Sequence, residues 1–444
     1  MPKKVRLMMG IILLFIIPEM AIADNSPVGN QEVLSLTQCL DLAFKNSRLI
    51  QAAAKNVAIA QAGVKEAEGG FWPKLDYSIV AMKAEEAIYP YTVTPYNLST
   101  ECSGVNVSLT QPLYLGGKLS NGLKLAKGQY VMALENERKA KQQLTFQVKQ
   151  VFYQVWLAEC ILKVAQASFD NLCHHVAQVE SYYQEGTVSK FDLLRAEVQR
   201  DSLKPQVITA ENGLKLAVLN MAILTGIPKE QLIAVDYDGD KIDLPKKFSA
   251  ELEQVLEAAC QDRPEMHQIK LTGEISRYQL KLAEAGFKPN VSLVAKYQEQ
   301  SLDHDISSWN ESKYWTLTFN IAGNIFDGFS TAAKVTGAKE NVQLTVIKES
   351  GLRDQIRLDV EQSVQNIQES LEVIRANQSN IDMAKESLGL TQARFLEGMA
   401  TTMDIMDSQL ALDQALNGYY RGIALYLTAE AKLDLAVGRD GKNQ

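Results

Sequence analysis

Apolar side chains return every three or four residues between Gly117 and about Tyr183. Leu144, Val148, Val151, Val155, Ala158, Ile161, Leu162 and Ala165 mark the stripe. With no proline and little glycine in the way, the pattern predicts one amphipathic helix of some 65 residues, roughly 100 Å long. A second such run extends from about Thr331 to Phe395. Globular helices average about a dozen residues, so this length points to a coiled coil or the wall of an extended tube. Alanine-rich faces with scattered Gln, Asn and Ser suit the tube wall, where helices lie close and a second face is wet. Shorter helices are predicted at Leu36 to about Gly69, Phe191 to Thr225, Ala250 to Gly286 and Met403 to Val437.

In four segments the period changes from 3.6 to 2. Leu75, Tyr77, Ile79 and Ala81 alternate with Asp76, Ser78 and Val80, and Val105, Val107 and Leu109 with Asn106, Ser108 and Thr110. Val291, Leu293, Ala295 and Tyr297 alternate with Ser292, Val294 and Lys296, and Trp315, Leu317, Phe319 and Ile321 with Thr316, Thr318 and Asn320. Over about ten residues this is the signature of a transmembrane barrel strand, although an ordinary half-buried sheet alternates in the same way. Phe71, Trp72, Tyr89, Tyr91, Tyr96, Trp309, Tyr314 and Trp315 cluster at the strand ends, as aromatic girdles do. Four strands are too few for a closed pore, since the smallest membrane barrels have about eight. A sheet left open in lipid has unsatisfied edges. A barrel built from them must be shared between chains.

The chain also repeats itself. At an offset of 212, Glu185, Gly186, Asp192, Asp201, Ala217 and Gly226 meet Glu397, Gly398, Asp404, Asp413, Ala429 and Gly438 without a gap. Earlier the offset is 216, laying EGGFWPKLDY (Glu68 to Tyr77) over EAGFKPNVSL (Glu284 to Leu293). The unit is half a protein, not a solenoid repeat. The change of offset falls between Leu75 and Val105, where a surface loop absorbs it. The expected organisation is a first repeat over 24–228, a linker over 229–249 containing Asp236-Tyr237-Asp238-Gly239-Asp240, and a second repeat over 250–444.

Residues 1–23 read as a secretory signal: Lys3, Lys4 and Arg6, an apolar run from Leu7 to Ile17, then Ala21-Ile22-Ala23. Removing them shifts the formal charge from −8 to about −10, by −8 − 3 + 1. An acidic exported chain without a basic patch is a poor nucleic-acid binder. No later stretch shows the roughly eighteen consecutive apolar residues of a membrane helix, so membrane entry is expected through strands. Cys39, Cys102, Cys160, Cys173 and Cys260 show no metal-ligand spacing and read as free, mostly buried thiols. No cofactor or metal site is expected. The His174-His175 pair reads as solvated, and no G-x-S-x-G, H-E-x-x-H or phosphate loop is present.

Two copies of helix, strand pair, very long helix and helix resemble the TolC-like outer-membrane efflux proteins. Specific marks are Phe71-x-Pro73 and Phe287-x-Pro289 before strands, PLYLGG (Pro112 to Gly117) after the second strand, and NIFDGF (Asn324 to Phe329) in its repeat. The turns YYQEGTVSKFDLL (Tyr182 to Leu194) and RFLEGMATTMDIMD (Arg394 to Asp407) are the strongest. The resemblance implies a homotrimer in outer-membrane lipid, with a 12-stranded β-barrel continued by a periplasmic α-helical barrel. It implies a passive exit duct for efflux or type I secretion, served by a periplasmic adaptor protein and an inner-membrane pump, without catalysis.

It also assigns roles. Asp404 and Asp407 match the acids that line the closed entrance, and Gly186, Thr187, Val188, Gly398, Met399 and Ala400 match the adaptor-docking tips. Asp192 matches an acid whose arginine partner is replaced by Ala400, and Phe395 replaces a tyrosine. Lys190 and Arg195 are left as nearby candidates for holding the entrance shut. Each role has a local alternative. Glycine after a long helix serves as a left-handed cap, and Ser189-x-x-Asp192 and Thr401-x-x-Asp404 are capping-box patterns. The rival architecture is a soluble periplasmic coiled-coil scaffold or adaptor whose strands form a small sheet. The sequence names no cargo.

Overall fold

In the computed structural model, the described residues are 32–83, 101–227, 232–235, 245, 251–301 and 313–439. The signal segment, the 84–100 loop, most of the linker with Asp236–Asp240, and Tyr89, Tyr91, Tyr96 and Trp309 lie outside them. The order is β1 (Glu32–Leu34), α1 (Leu36–Asn46), α2 (Arg48–Gly69), β2 (Lys74–Lys83), β3 (Glu101–Leu115), α3 (Lys118–Gln184) and α4 (Lys190–Thr225). The chain continues through β4 (Leu232–Val235), α5 (Leu252–Asp262), α6 (Pro264–Glu284), β5 (Asn290–Ser301), β6 (Lys313–Ala322), α7 (Ser330–Leu396) and α8 (Thr402–Val437). The two long helices have 67 residues each, as the unbroken stripes predicted.

Two expected helices are broken, at equivalent places. The run Leu36 to Gly69 divides at Ser47, whose hydroxyl accepts from the Ile50 amide and opens α2. The run Ala250 to Gly286 divides at Arg263, because Pro264 disfavours helical backbone in the residue before it and starts α6. A 3-10 turn, Ala285–Phe287, ends α6. The sequence pattern also missed a short parallel pair, β1 with β4, too brief for a period to show.

The four longer strands form one antiparallel sheet in the order β2-β3-β5-β6. Pro112 is tolerated within β3 because the register slips there, between Pro112 and Tyr114. Directly paired residues share a face, and Tyr77, Val107, Tyr297 and Trp315 form one row across all four strands. Leu75, Leu109, Ala295 and Leu317 form the next. The opposite face carries Asp76, Ser108, Lys296 and Thr316. Among the described residues nothing covers the apolar face: Tyr77 is 78% exposed, Trp315 75% and Ile321 62%. Burying each such side chain contributes roughly 1.5–3 kcal/mol, so a solvated sheet of this kind is unfavourable. The small soluble sheet of the rival reading is therefore disfavoured.

The main core sits at the waist, where α1, α5 and the end of α4 gather on the long helices. Phe152, Val155, Trp156, Met221, Met266, Ile356, Val360 and Ile423 are buried together there. Away from it the packing thins, and α2 buries no residue. An 18-residue window of α4 reaches mean hydropathy 1.4, yet only 11% of it is buried. Ile208, Leu216 and Ile223 face outward while the helix packs along α3. The close pairing of α7 with α8 depends on Gly422, whose added Cβ would lie 2.9 Å from Ile374 Cγ1.

Candidate functional site: the paired helical turns

The two long helices end in the same backbone motif. In the first turn the Gly186 amide donates to the Tyr183 carbonyl at 3.0 Å and the Thr187 amide to Tyr182 at 2.9 Å. In the second, Gly398 donates to Phe395 at 3.0 Å and Met399 to Arg394 at 2.8 Å. These paired bonds define a Schellman cap, which requires a left-handed residue. Gly186 and Gly398 supply it at φ 77° and 73°. A Cβ added at either would meet nothing within 4 Å, so glycine is required for its backbone angle and not for space.

Capping boxes open the following helices. Asp192 Oδ2 accepts from the Ser189 hydroxyl at 2.6 Å and the Ser189 amide at 3.3 Å. Asp404 Oδ2 accepts from the Thr401 amide at 2.7 Å and hydroxyl at 2.8 Å. Those bonds, with the Arg394 guanidinium nearby, hold the Asp404 carboxyl below the usual carboxylate range. Asp407 is exposed and belongs to no cap. Thus Asp404 has a structural task that Asp407 lacks.

A cleft of about 490 Å³ separates the turns. Thr187, Val188, Asp192, Phe395, Gly398 and Ala400 line it together with Val179, Tyr182 and Thr402. Gly186, Lys190, Arg195, Met399, Asp404 and Asp407 are not in its lining. Asp192 and Ala400 share this cleft, and the Asp192 carboxylate is engaged by Ser189. Phe395 is inserted between the hairpins, with ring centroids 4.8 Å from His175 and 6.3 Å from Tyr182. Val176, Val179 and Ala196 are the buried residues of this contact, with Val188, Leu193 and Phe395 packed against them.

Here the solvated reading of the histidine pair is corrected. His174 is exposed, but His175 is only 6% exposed, and burial pushes its pKa below the ordinary histidine value. Helical geometry turns adjacent side chains through about 100°, so one of the pair meets the partner hairpin. Arg394, whose guanidinium reaches the Met399 carbonyl at 3.5 Å, was also overlooked. A basic residue in the last turn of a helix was the available signal.

Above the turns a polar contact joins α3 to α8. The Ser168 hydroxyl donates to Asp413 Oδ2 at 2.5 Å and Gln409 Nε2 to Oδ1 at 2.8 Å. Burial raises the Asp413 pKa despite these bonds. Among the described residues, Cys39, Cys160, Cys173 and Cys260 form no disulfide, and no group of three potential metal ligands occurs.

An exposed apolar sheet continued by 67-residue helices defines a class: membrane proteins of mixed strand and helix. The sequence profile described as "Outer membrane efflux protein" matches residues 39–226 and 255–439, and the chain belongs to that family. Membership places it in the outer membrane. The outer membrane protein TolC of Escherichia coli K12 is 24% identical over 330 residues, 69% of this chain and 65% of that protein. The TolC of Salmonella enteritidis is 23% identical over 67% of this chain and 61% of its own length. The chain thus spans less than two-thirds of the length of these two TolC relatives. The alkaline protease secretion protein AprF of Pseudomonas aeruginosa is 22% identical over 75% of this chain and 69% of its own. In fold, a crystal structure of CusC superposes with a TM-score of 0.78 at 19% identity, covering 91% of this chain and 92% of that one.

Proposed function

We propose that the protein is a homotrimeric outer-membrane exit duct, a passive conduit of a tripartite efflux or type I secretion system. The observation that carries this reading is the sheet: an uncovered apolar face, a polar opposite face, and unpaired outer edges on β2 and β6. In lipid, closure between copies satisfies both edges at once. Three copies supply twelve strands, and the long helices continue the tube into the periplasm. The division into repeats at 24–228 and 250–444 about a 229–249 linker belongs to this proposal.

In this reading the turns form the periplasmic end. Gly186, Thr187, Val188, Gly398, Met399 and Ala400 meet the adaptor protein, which links the duct to an inner-membrane pump. Asp404 and Asp407 of three copies bring six carboxylates to one constriction, where their field favours cations. Lys190, Arg195 and Phe395 with Asp192 form the surroundings of that entrance. The cap that holds the Asp404 carboxyl below the usual carboxylate range supports a charged Asp404 at neutral pH. Single-channel recording tests this: Asp404→Ala with Asp407→Ala should lower cation preference while the trimer persists, because losing one cap costs only ~1 kcal/mol. Unchanged selectivity would reduce both acids to helix-start residues. A monomer by detergent-corrected light scattering would remove the shared barrel.

A further inference from the structure

The internal repeat specifies how one copy pairs with the next. In the first hairpin every β2–β3 pair has residue numbers adding to 184, and in the second every β5–β6 pair adds to 612. Their difference is 212 plus 216, the offsets at which β3 repeats as β6 and β2 as β5. The hairpins therefore share one register. The strand junction between the repeats, β3 with β5, adds to 404 up to the bulge at Pro112.

Resting on the shared-barrel reading, we infer that β6 of one copy pairs with β2 of the next in the register of the β3–β5 junction, so that paired numbers add to 400. That figure is 404 raised by 212 and lowered by 216. It places Ile321 opposite Ile79 of the next copy, and Phe319 opposite Ala81. The pair equivalent to Ile321 and Ile79 within one chain is Leu109 with Ala295.

Two independent observations agree. Strand direction alternates along β2-β3-β5-β6, so β6 meets the next β2 antiparallel, as β3 meets β5. The sum is also even, and on both edge strands the apolar side chains occupy odd positions: Leu75, Tyr77 and Ile79, and Leu317, Phe319 and Ile321. The inferred register therefore keeps one apolar face continuous across the junction, whereas a one-residue slip would interrupt it.

The same operation applies to the helices. Within the chain α3 packs on α6 and α8, so α7 packs on α2 and α4 of the next copy. That contact covers Ile59, Ile208 and Ile223 on one side and Ile347 and Leu358 on the other, all exposed in the single chain. The Ser168–Asp413 hydrogen bond maps onto Asn380 and Asp201 of the next copy, an amide donor facing a carboxylate.

Cysteine cross-linking tests the register in the full chain with its five native cysteines replaced. Directly opposed strand residues have Cα atoms about 4.5–5.5 Å apart, within disulfide reach, whereas two-residue slips lie at about 7–8 Å. Ile321→Cys with Ile79→Cys should give a covalent ladder on oxidation, with at least about five-fold more product than Ile321→Cys paired with Tyr77→Cys or Ala81→Cys. Leu109→Cys with Ala295→Cys should close within one chain and so report a folded sheet. Asn380→Cys with Asp201→Cys, bridged by a short bismaleimide, should link copies through the helices independently of the strands. A slipped strand pair that links best overturns the register and leaves the shared barrel standing. With the control pair closed, so does helix linkage without any strand linkage. A monomeric native chain overturns both readings together.

Discussion

Asp201 and Asp413 occupy equivalent positions in the two repeats, and the fold treats them oppositely. Asp201 lies on α4 beside Arg200 and Lys204, whose hydrogen bonds hold its pKa down to about 2. Asp413 lies on α8 against α3, where burial raises its pKa. The residue type was copied and the environment was not. Each helix in the first repeat has a counterpart in the second, but α8 is packed between α3 and α7 while α4 packs along α3. Equivalent positions thus carry different energetic consequences, and exchanging residues between repeats exposes them.

The largest effect is expected at Gly418, whose counterpart is Gln206. A side chain at Gly418 would meet Asn377, which donates to the Val373 carbonyl on α7. Gly418→Gln should destabilise by about 3 kcal/mol, at the upper end of ordinary overpacking, in thermal unfolding of the detergent-extracted protein. Gln206→Gly in the first repeat should cost about 1 kcal/mol from helix propensity alone. Similar losses at the two sites would mean that α7 and α8 pack no more closely than α3 and α4.

Asp413→Ala is next, at about 1–3 kcal/mol, because Ser168 and Gln409 lose their shared acceptor in a buried contact. Asp201→Ala should have a much smaller effect within one chain, being an exposed ion pair. The pH dependences also differ in sign. A raised carboxyl pKa in the folded state means that the contribution of Asp413 is present below its ordinary value and lost as pH rises through the raised one. The contribution of Asp201 is present above its ordinary value and lost as pH falls towards about 2. Asp413→Asn should abolish the first dependence and leave the second.

His175 has Ser387 as its counterpart. Its lowered pKa places its contribution above the ordinary histidine value near 6.5, lost as pH falls through that value and the folded one. Amide protection around Phe395 and Val179, relative to the intrinsic exchange rate at each pH, should therefore fall in mild acid, and His175→Phe should remove the fall. An unchanged acid response in that variant would assign it to other groups.

The smallest effect is expected at Phe329, which adopts φ 64° where the first repeat has Gly117 at φ 91°. The left-handed backbone costs a non-glycine residue roughly 1–2 kcal/mol. Its ring, 5.5 Å from that of Phe326 at 88°, returns about 0.5–1.5 kcal/mol. Phe329→Gly should therefore change stability by less than about 1 kcal/mol. A larger loss would reveal that the ring has a partner outside the chain.

The sequence by itself determined the long helices, the four alternating strands, the repeat and both glycine turns. Each is written in a local period or a local backbone requirement, and these do not depend on what lies across the molecule. The breaks at Ser47 and Arg263 were legible in their capping chemistry, although the continuous apolar stripe concealed them. Which member of His174-His175 is buried, how Phe395 enters the space between the hairpins, and why the Asp413 carboxyl holds its proton more tightly than usual were decided only by tertiary structure. Burial and proton affinity depend on neighbours more than two hundred residues away, and an amino-acid period holds no record of which helix comes to lie against which.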